Sequence, residues 1–169
     1  MKDTILNILE DFVSYFEGKR YTAYLDTAGV PTIGIGSTKN VTMGMTINEE
    51  QVRQRFADDL HDANVRVISM VKIPLNDNEY AAMVDIGFNL SYKSSITLSG
   101  YLNSDKELFK SKLLLYSKDA KGNYLKGLLV RRVAERLLFE GRDWKIVEDF
   151  RKPNFSLNAL QESISSLFI

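Results

Sequence analysis

"FEGKRYTAYLDTAGVPTIGIG", residues 16–36, joins a helical period to a strand period in one step. Upstream, Ile5, Leu9, Phe12 and Phe16 recur at spacings of 4, 3 and 4, the single apolar stripe of an amphipathic helix. Gly18 ends that helix, because glycine takes the backbone that a C-terminus needs without a Cβ penalty. Glu17 is left at the helix end. Downstream, Tyr21–Leu25 is rich in aromatic and apolar residues, "DTAG" signals a turn, and "VPTIGIG" returns the chain. Pro31 has no N–H for a ladder, so the sheet should be small and edge-like. Gly34 and Gly36 allow a sharp turn or a close backbone approach. Tyr21 and Tyr24 are an odd number apart and should face opposite sides of a regular strand.

Two carboxyls thus sit in unlike settings. The C-terminus of a helix carries partial negative charge, and Phe16 adds an apolar neighbour. Both disfavour charge on Glu17, which predicts a carboxyl that holds a proton to donate. Asp26 lies at a polar turn and should stay ionised. Such a pair suits glycoside hydrolysis, where one carboxyl protonates the leaving oxygen and the other acts on water or on the sugar. Thr32, on the returning strand, could set its hydroxyl near Asp26 and orient a water. A Glu nine residues before an Asp is also common by chance, and then marks only a helix end and a turn.

The 169 residues, 44% hydrophobic, suffice for one domain, or two lobes sharing a core. With 22 basic and 22 acidic side chains, nothing signals a nucleic-acid binder. Residues 1–104 carry 9 basic and 13 acidic groups (−4), and residues 105–152 carry 13 and 8 (+5), which fits solvated helix faces or a mildly basic half meeting an anion. There is no cysteine, so disulfides and thiolate metal sites are excluded. The one histidine, His61, reads as a helix-surface residue. No apolar run reaches the ~20 residues of a membrane span. The start, with Asp3, Glu10 and Asp11 among its apolar residues, does not resemble a secretory signal, so the chain is expected to be made in the cytoplasm. No cofactor is implied: the G-x-G of "GVPTIGIG" lacks the context of a dinucleotide site.

"TINE" at 46–49 predicts a capping box, Thr46 with Glu49, and a helix running to about Val71, some 37 Å long, that could join two lobes. "NDNE" at 76–79 starts a helix through Met83, Val84 and Phe88, and "SDKE" at 104–107 predicts another capping box. "AKGN" at 120–123 reads as a turn. "KGLLVRRVAERLLFEG" is a basic helix ended by Gly141. Leu157, Leu160, Ile164 and Leu167 form a last amphipathic stretch, expected to pack on the body rather than on a membrane. Arg131 and Arg132 should make structural ion pairs, with Glu135 or a facing lobe, more readily than they bind wall anions. Trp144 should be core rather than a sugar platform.

"EGKRYTAYLDTAGVPTIGIGST" resembles the active-site segment of phage-type lysozymes, the endolysins of tailed bacteriophages. Their pattern E-x8-D-x5-T falls on Glu17, Asp26 and Thr32. "LNDNEYAAMVDIGFNL", "GLLVRRVAERLLFEG" and Trp144 extend the resemblance over roughly residues 10–145. It implies an α+β, mainly helical, lysozyme-like fold over residues 1–169. An active-site lobe spans about 1–60, a connecting helix runs to about 71, and a helical lobe spans about 72–169. It also implies a muramidase that hydrolyses the β-1,4 bond between N-acetylmuramic acid and N-acetylglucosamine in peptidoglycan. Glu17 would be the acid, with Asp26 and Thr32 activating water. The enzyme would be a monomer without cofactor, metal, nucleic acid or stable membrane insertion. It would reach the wall in the periplasm through a separate holin and lyse the host. A lytic transglycosylase on the same bond needs an acid but no water-activating pair, and a silent wall-binding module would need none of the three. Ser37 departs from relatives that carry His after "GIG", and residues from about Pro153 to Ile169 match no pattern of the family.

Overall fold

The computed structural model describes residues 1–26, 28–119 and 121–168. The chain forms α1 (Asp3–Glu17), β1 (Arg20–Leu25), β2 (Pro31–Gly34), α2 (Glu49–Asp59), α3 (His61–Met70), α4 (Asp77–Asn89), α5 (Tyr92–Ser104) and α6 (Lys106–Leu113). Then come α7 (Lys126–Phe139), α8 (Glu148–Arg151) and α9 (Leu157–Leu167), with 3-10 turns at Leu114–Ser117 and Trp144–Val147. The fold is α+β and mainly helical, as the sequence predicts.

β1 and β2 pair antiparallel, Tyr24 opposite Thr32 and Leu25 opposite Pro31, with an irregularity between Arg20 and Tyr24. The alternation expected of a regular strand therefore does not hold between Tyr21 and Tyr24. A third extended segment lies along β1: Ala23 N–H donates to Met45 O and Ile47 N–H to Tyr21 O, each at 2.9 Å. Thr46 bridges to Thr22 in that segment and so cannot cap a helix. The capping box forms two residues later, between Asn48 and Gln51. At the other predicted box, Ser104 is still helical and Asp105 caps α6 by accepting from Leu108 N–H. The helix read from "NDNE" begins there, and Asn76 and Glu79 close a capping box that the reading did not name.

The long connecting helix is two helices. At Leu60 the backbone turns to ψ −11°, and its N–H is shared between Phe56 O and Asp58 O. Neither proline nor glycine stands there. Leu60 itself is fully buried, so the junction of the two helices lies in the core. His61, just after it, is exposed as expected.

α4 is central. Ala81, Ala82, Met83, Val84 and Ile86 are buried around most of its circumference, the mark of a helix enclosed by others. It packs against α1, α3 and α7. Gly87 permits the α3 contact, since a Cβ there would stand 3.5 Å from both Cβ and O of Ala63. Ile5, Leu9, Phe12 and Val13 face the core from α1. Trp144 is core, edge-on to Phe12 and Tyr15 with centroids 4.8 and 5.2 Å away. α9 packs on the body through fully buried Leu160, with Leu157, Ile164 and Leu167 against the same core. No helix among the described residues is long and apolar enough to cross a membrane.

Candidate active site

Glu17 is the last residue of α1, and Gly18 follows with φ +81°. The last turn of α1 has no basic residue of its own. Cations from distant sequence gather there instead. Arg151 Nη1 donates to Tyr15 O at 2.7 Å, meeting one of the carbonyls left open at a helix end. Arg131 Nη1 donates to Glu17 Oε1 at 2.6 Å. The sequence reading surrounded Glu17 only with influences that oppose its charge; the structure adds a guanidinium that attracts it. Phe16 is indeed beside it, with Arg131 5.2 Å from the centre of that ring.

Glu17 lines a pocket of ≈ 360 Å³ together with Phe16, Asn89, Lys126, Arg131 and Arg151. Asp26 and Thr32 are not part of that wall; they sit on the hairpin. The chain leaving β2 passes close to Glu17, since a Cβ on Gly36 would stand 4.0 Å from the Glu17 Cβ. Gly36 has φ +76°, which restricts that position to glycine at low strain.

Asp26 and Thr32 are linked through one residue, Val30. Asp26 Oδ1 accepts from Ala28 N–H and Val30 N–H, each at 2.8 Å. Val30 O accepts from Asp26 N–H at 3.0 Å and from the Thr32 hydroxyl at 2.9 Å. Both carboxylate bonds fall on Oδ1, and among the described residues Oδ2 receives none. The Thr32 proton is committed to Val30, so toward a water this hydroxyl can only accept.

Behind Glu17 lies a buried charge cluster. Arg131 Nη2 and Nε reach Asp85 at 2.7 and 3.3 Å. Arg132 Nη2 stands 2.6 Å from Glu135 Oε1 and donates to Asn89 Oδ1 at 2.5 Å. Both arginines make the ion pairs expected of them, with Glu135 of their own helix and Asp85 of the facing α4. Burial opposes the charge on Asp85, but the Arg131 guanidinium outweighs it and holds the carboxyl below the ordinary range. Burial pushes the Glu135 carboxyl well up despite Arg132, and the negative Asp85 adds to that shift. Neither oxygen of Glu135 has a hydrogen-bond partner of good geometry.

Ser37 is 2% exposed and donates its hydroxyl to Asp59 of α2. The contact ties the end of the hairpin segment to α2 by a neutral donor.

Asp85 and Asn89 were not singled out from sequence. Their signal was there: Asp85 is the lone charge in the apolar run Ala81–Phe88, and such a charge needs a buried partner.

The model of the phage lysozyme family matches residues 14–135. An endolysin of Salmonella phage P22 is 34% identical over 131 residues, spanning 73% of this chain and 88% of its own. An endolysin of Acyrthosiphon pisum secondary endosymbiont phage 1 is 31% identical over 134 residues, 76% of this chain and 92% of the relative. Among solved structures, a mutant of P22 lysozyme aligns with TM-score 0.70 and 33% identity, covering 79% of this chain and 95% of its own.

Proposed function

The chain belongs to the phage lysozyme family of peptidoglycan-cleaving enzymes, and from that premise we propose that it is a muramidase. It hydrolyses the β-1,4 bond between N-acetylmuramic acid and N-acetylglucosamine. Glu17 is the general acid. Arg131 engages Oε1, which leaves Oε2 to carry the proton. That proton passes to the glycosidic oxygen as the bond to the anomeric carbon breaks. A water donates one hydrogen to Asp26 Oδ2 and the other to the Thr32 hydroxyl oxygen. Its own oxygen then attacks the anomeric carbon, and Asp26 takes up the released proton.

The observation that supports hydrolysis is the pair of bonds to Val30. Its N–H holds Oδ1 of Asp26 and its carbonyl takes the proton of Thr32, so that Oδ2 of Asp26 and the Thr32 oxygen are the acceptors assigned to the water in this reading. A transglycosylase would have no use for two acceptors so arranged. Mass spectrometry of digested peptidoglycan tests the reading. Hydrolysis leaves muramic acid with a free reducing end. Internal attack leaves an anhydro sugar lighter by one water, and finding only that product would overturn the proposal. We further propose that the enzyme acts as a monomer on the periplasmic wall and depends on a holin for access. Expressed alone, it should leave host cells intact until their membrane is permeabilised, and lysis without permeabilisation would count against this.

A further inference from the structure

Glu17, Arg131, Asp85, Glu135 and Arg132 form one chain of contacts from the pocket wall into the core. Arg131 gives one nitrogen to Glu17 and two to Asp85. The Asp85 side chain is 0% exposed and that of Glu17 is 36%. The desolvated partner is thus held by more bonds than the one at the surface. A guanidinium facing Glu17 alone would favour its carboxylate and oppose the proton donation required of it. Asp85 stands on the other side of the same guanidinium and counters that charge.

We propose that Asp85 is a positioning residue for Glu17: it grips Arg131 from behind, so that the guanidinium orients the acid without locking it in its charged form. The proposal rests on Glu17 being the general acid. Other charged groups face the same chain. Lys126 of α7 and Arg151 of α8 stand on the pocket wall, and Arg132 and Glu135 of α7 lie deeper. Lys126, Arg151 and Arg132 keep their charge when Asp85 is changed, but Glu135, held neutral in part by the negative Asp85, would ionise more readily. The pH profiles are therefore also measured for Asp85→Asn combined with Glu135→Gln, in which no second carboxylate can take over the charge of Asp85. Glu135 touches the far edge of the guanidinium, Nε to Oε1 at 3.8 Å, too distant to replace Asp85 as its anchor.

The test is a set of pH profiles of wall clearing for the parent protein, Asp85→Asn and Glu17→Gln, each first shown to melt cooperatively. In Asp85→Asn the alkaline limb should move to lower pH by about one unit. Clearing on that limb should fall about tenfold while the acidic side stays within about twofold of the parent. A limb that stays in place, or a loss equal at every pH, would overturn the inference and leave Asp85 as a support of folding only. Should Asp85→Asn fail to fold, Asp85→Ser is read by the same criterion, since its smaller side chain leaves room for a water on Arg131. Glu17→Gln separates the two levels. If it is inactive and the Asp85→Asn limb has not moved, the inference alone falls. If it clears walls at the parent rate, the acid assignment falls and takes the inference with it.

Discussion

Arg131 of α7 donates to Glu17 at the end of α1, across 114 positions of sequence, at 2.6 Å. The contact ties the candidate acid to α7, while both helices pack on α4. Glu17→Gln keeps an oxygen for Arg131 but removes the acid proton. Wall clearing should fall about 10²–10⁴-fold. Because the pair is partly exposed, stability should change by less than about 1 kcal/mol. Parallel turbidity and thermal-melting assays check both, and clearing at the parent rate would sink the mechanism.

Asp26→Asn should lose most turnover with little loss of stability. The amide oxygen can still accept from Ala28 and Val30 N–H, so the turn is retained. What disappears is the negative charge that draws a proton from water. A melting temperature that collapses along with activity would show that Asp26 acts chiefly on the fold.

Glu135 makes a prediction in pH. Its carboxyl is pushed above its ordinary 4.5 in the folded protein, so over the window above 4.5 the native state holds a proton that the unfolded chain has released. Stability from this group is full below 4.5 and is lost as pH rises through that window. Asp85 runs the other way, its contribution present above its ordinary 3.8 and lost as pH falls below it. Glu135→Gln never ionises and escapes the first loss. Its melting temperature should gain on the parent as pH rises from about 4.5 toward neutrality. A constant difference across that range would contradict the buried proton.

The C-terminal segment should be structural. Leu160 is fully buried, and Arg142 Nη1 donates to Leu167 O at 3.1 Å. Leu160→Ala should cost about 2–4 kcal/mol. In a protein of this size that lowers the melting temperature by roughly 5–15 °C. Deleting residues 154–169 should lower it further. An unchanged melting temperature with lost killing of intact cells would instead favour a membrane role.

The amphipathic helices and the hairpin were legible because each rests on a local period or a turn signal. α1, the hairpin and α7 fall where Phe16–Gly36 and the Leu–Arg stripe put them. The cap at Asn48 was not legible, because Thr46 is taken by a strand contact with Thr22 that arises only in the folded chain. The bend at Leu60 has no proline or glycine to announce it. At the site, Glu17, Asp26 and Thr32 were picked out by type and spacing. The counter-ion of Glu17 was not, because ion pairs between α1 and α7 depend on how the helices meet. Local electrostatics at a helix end predicts a repelled carboxyl; tertiary structure supplies Arg131.

Trp144, the one tryptophan of the chain, lies 7% exposed against the two aromatic rings on the inner face of α1. Its emission is therefore an intrinsic optical gauge of how that helix is seated. A variant that loosens the Glu17 end of α1 should change its colour or brightness, while one that disturbs only the hairpin turn should leave it dark to the event. Catalytic damage and loss of the scaffold can thus be told apart in a single cuvette, without any label.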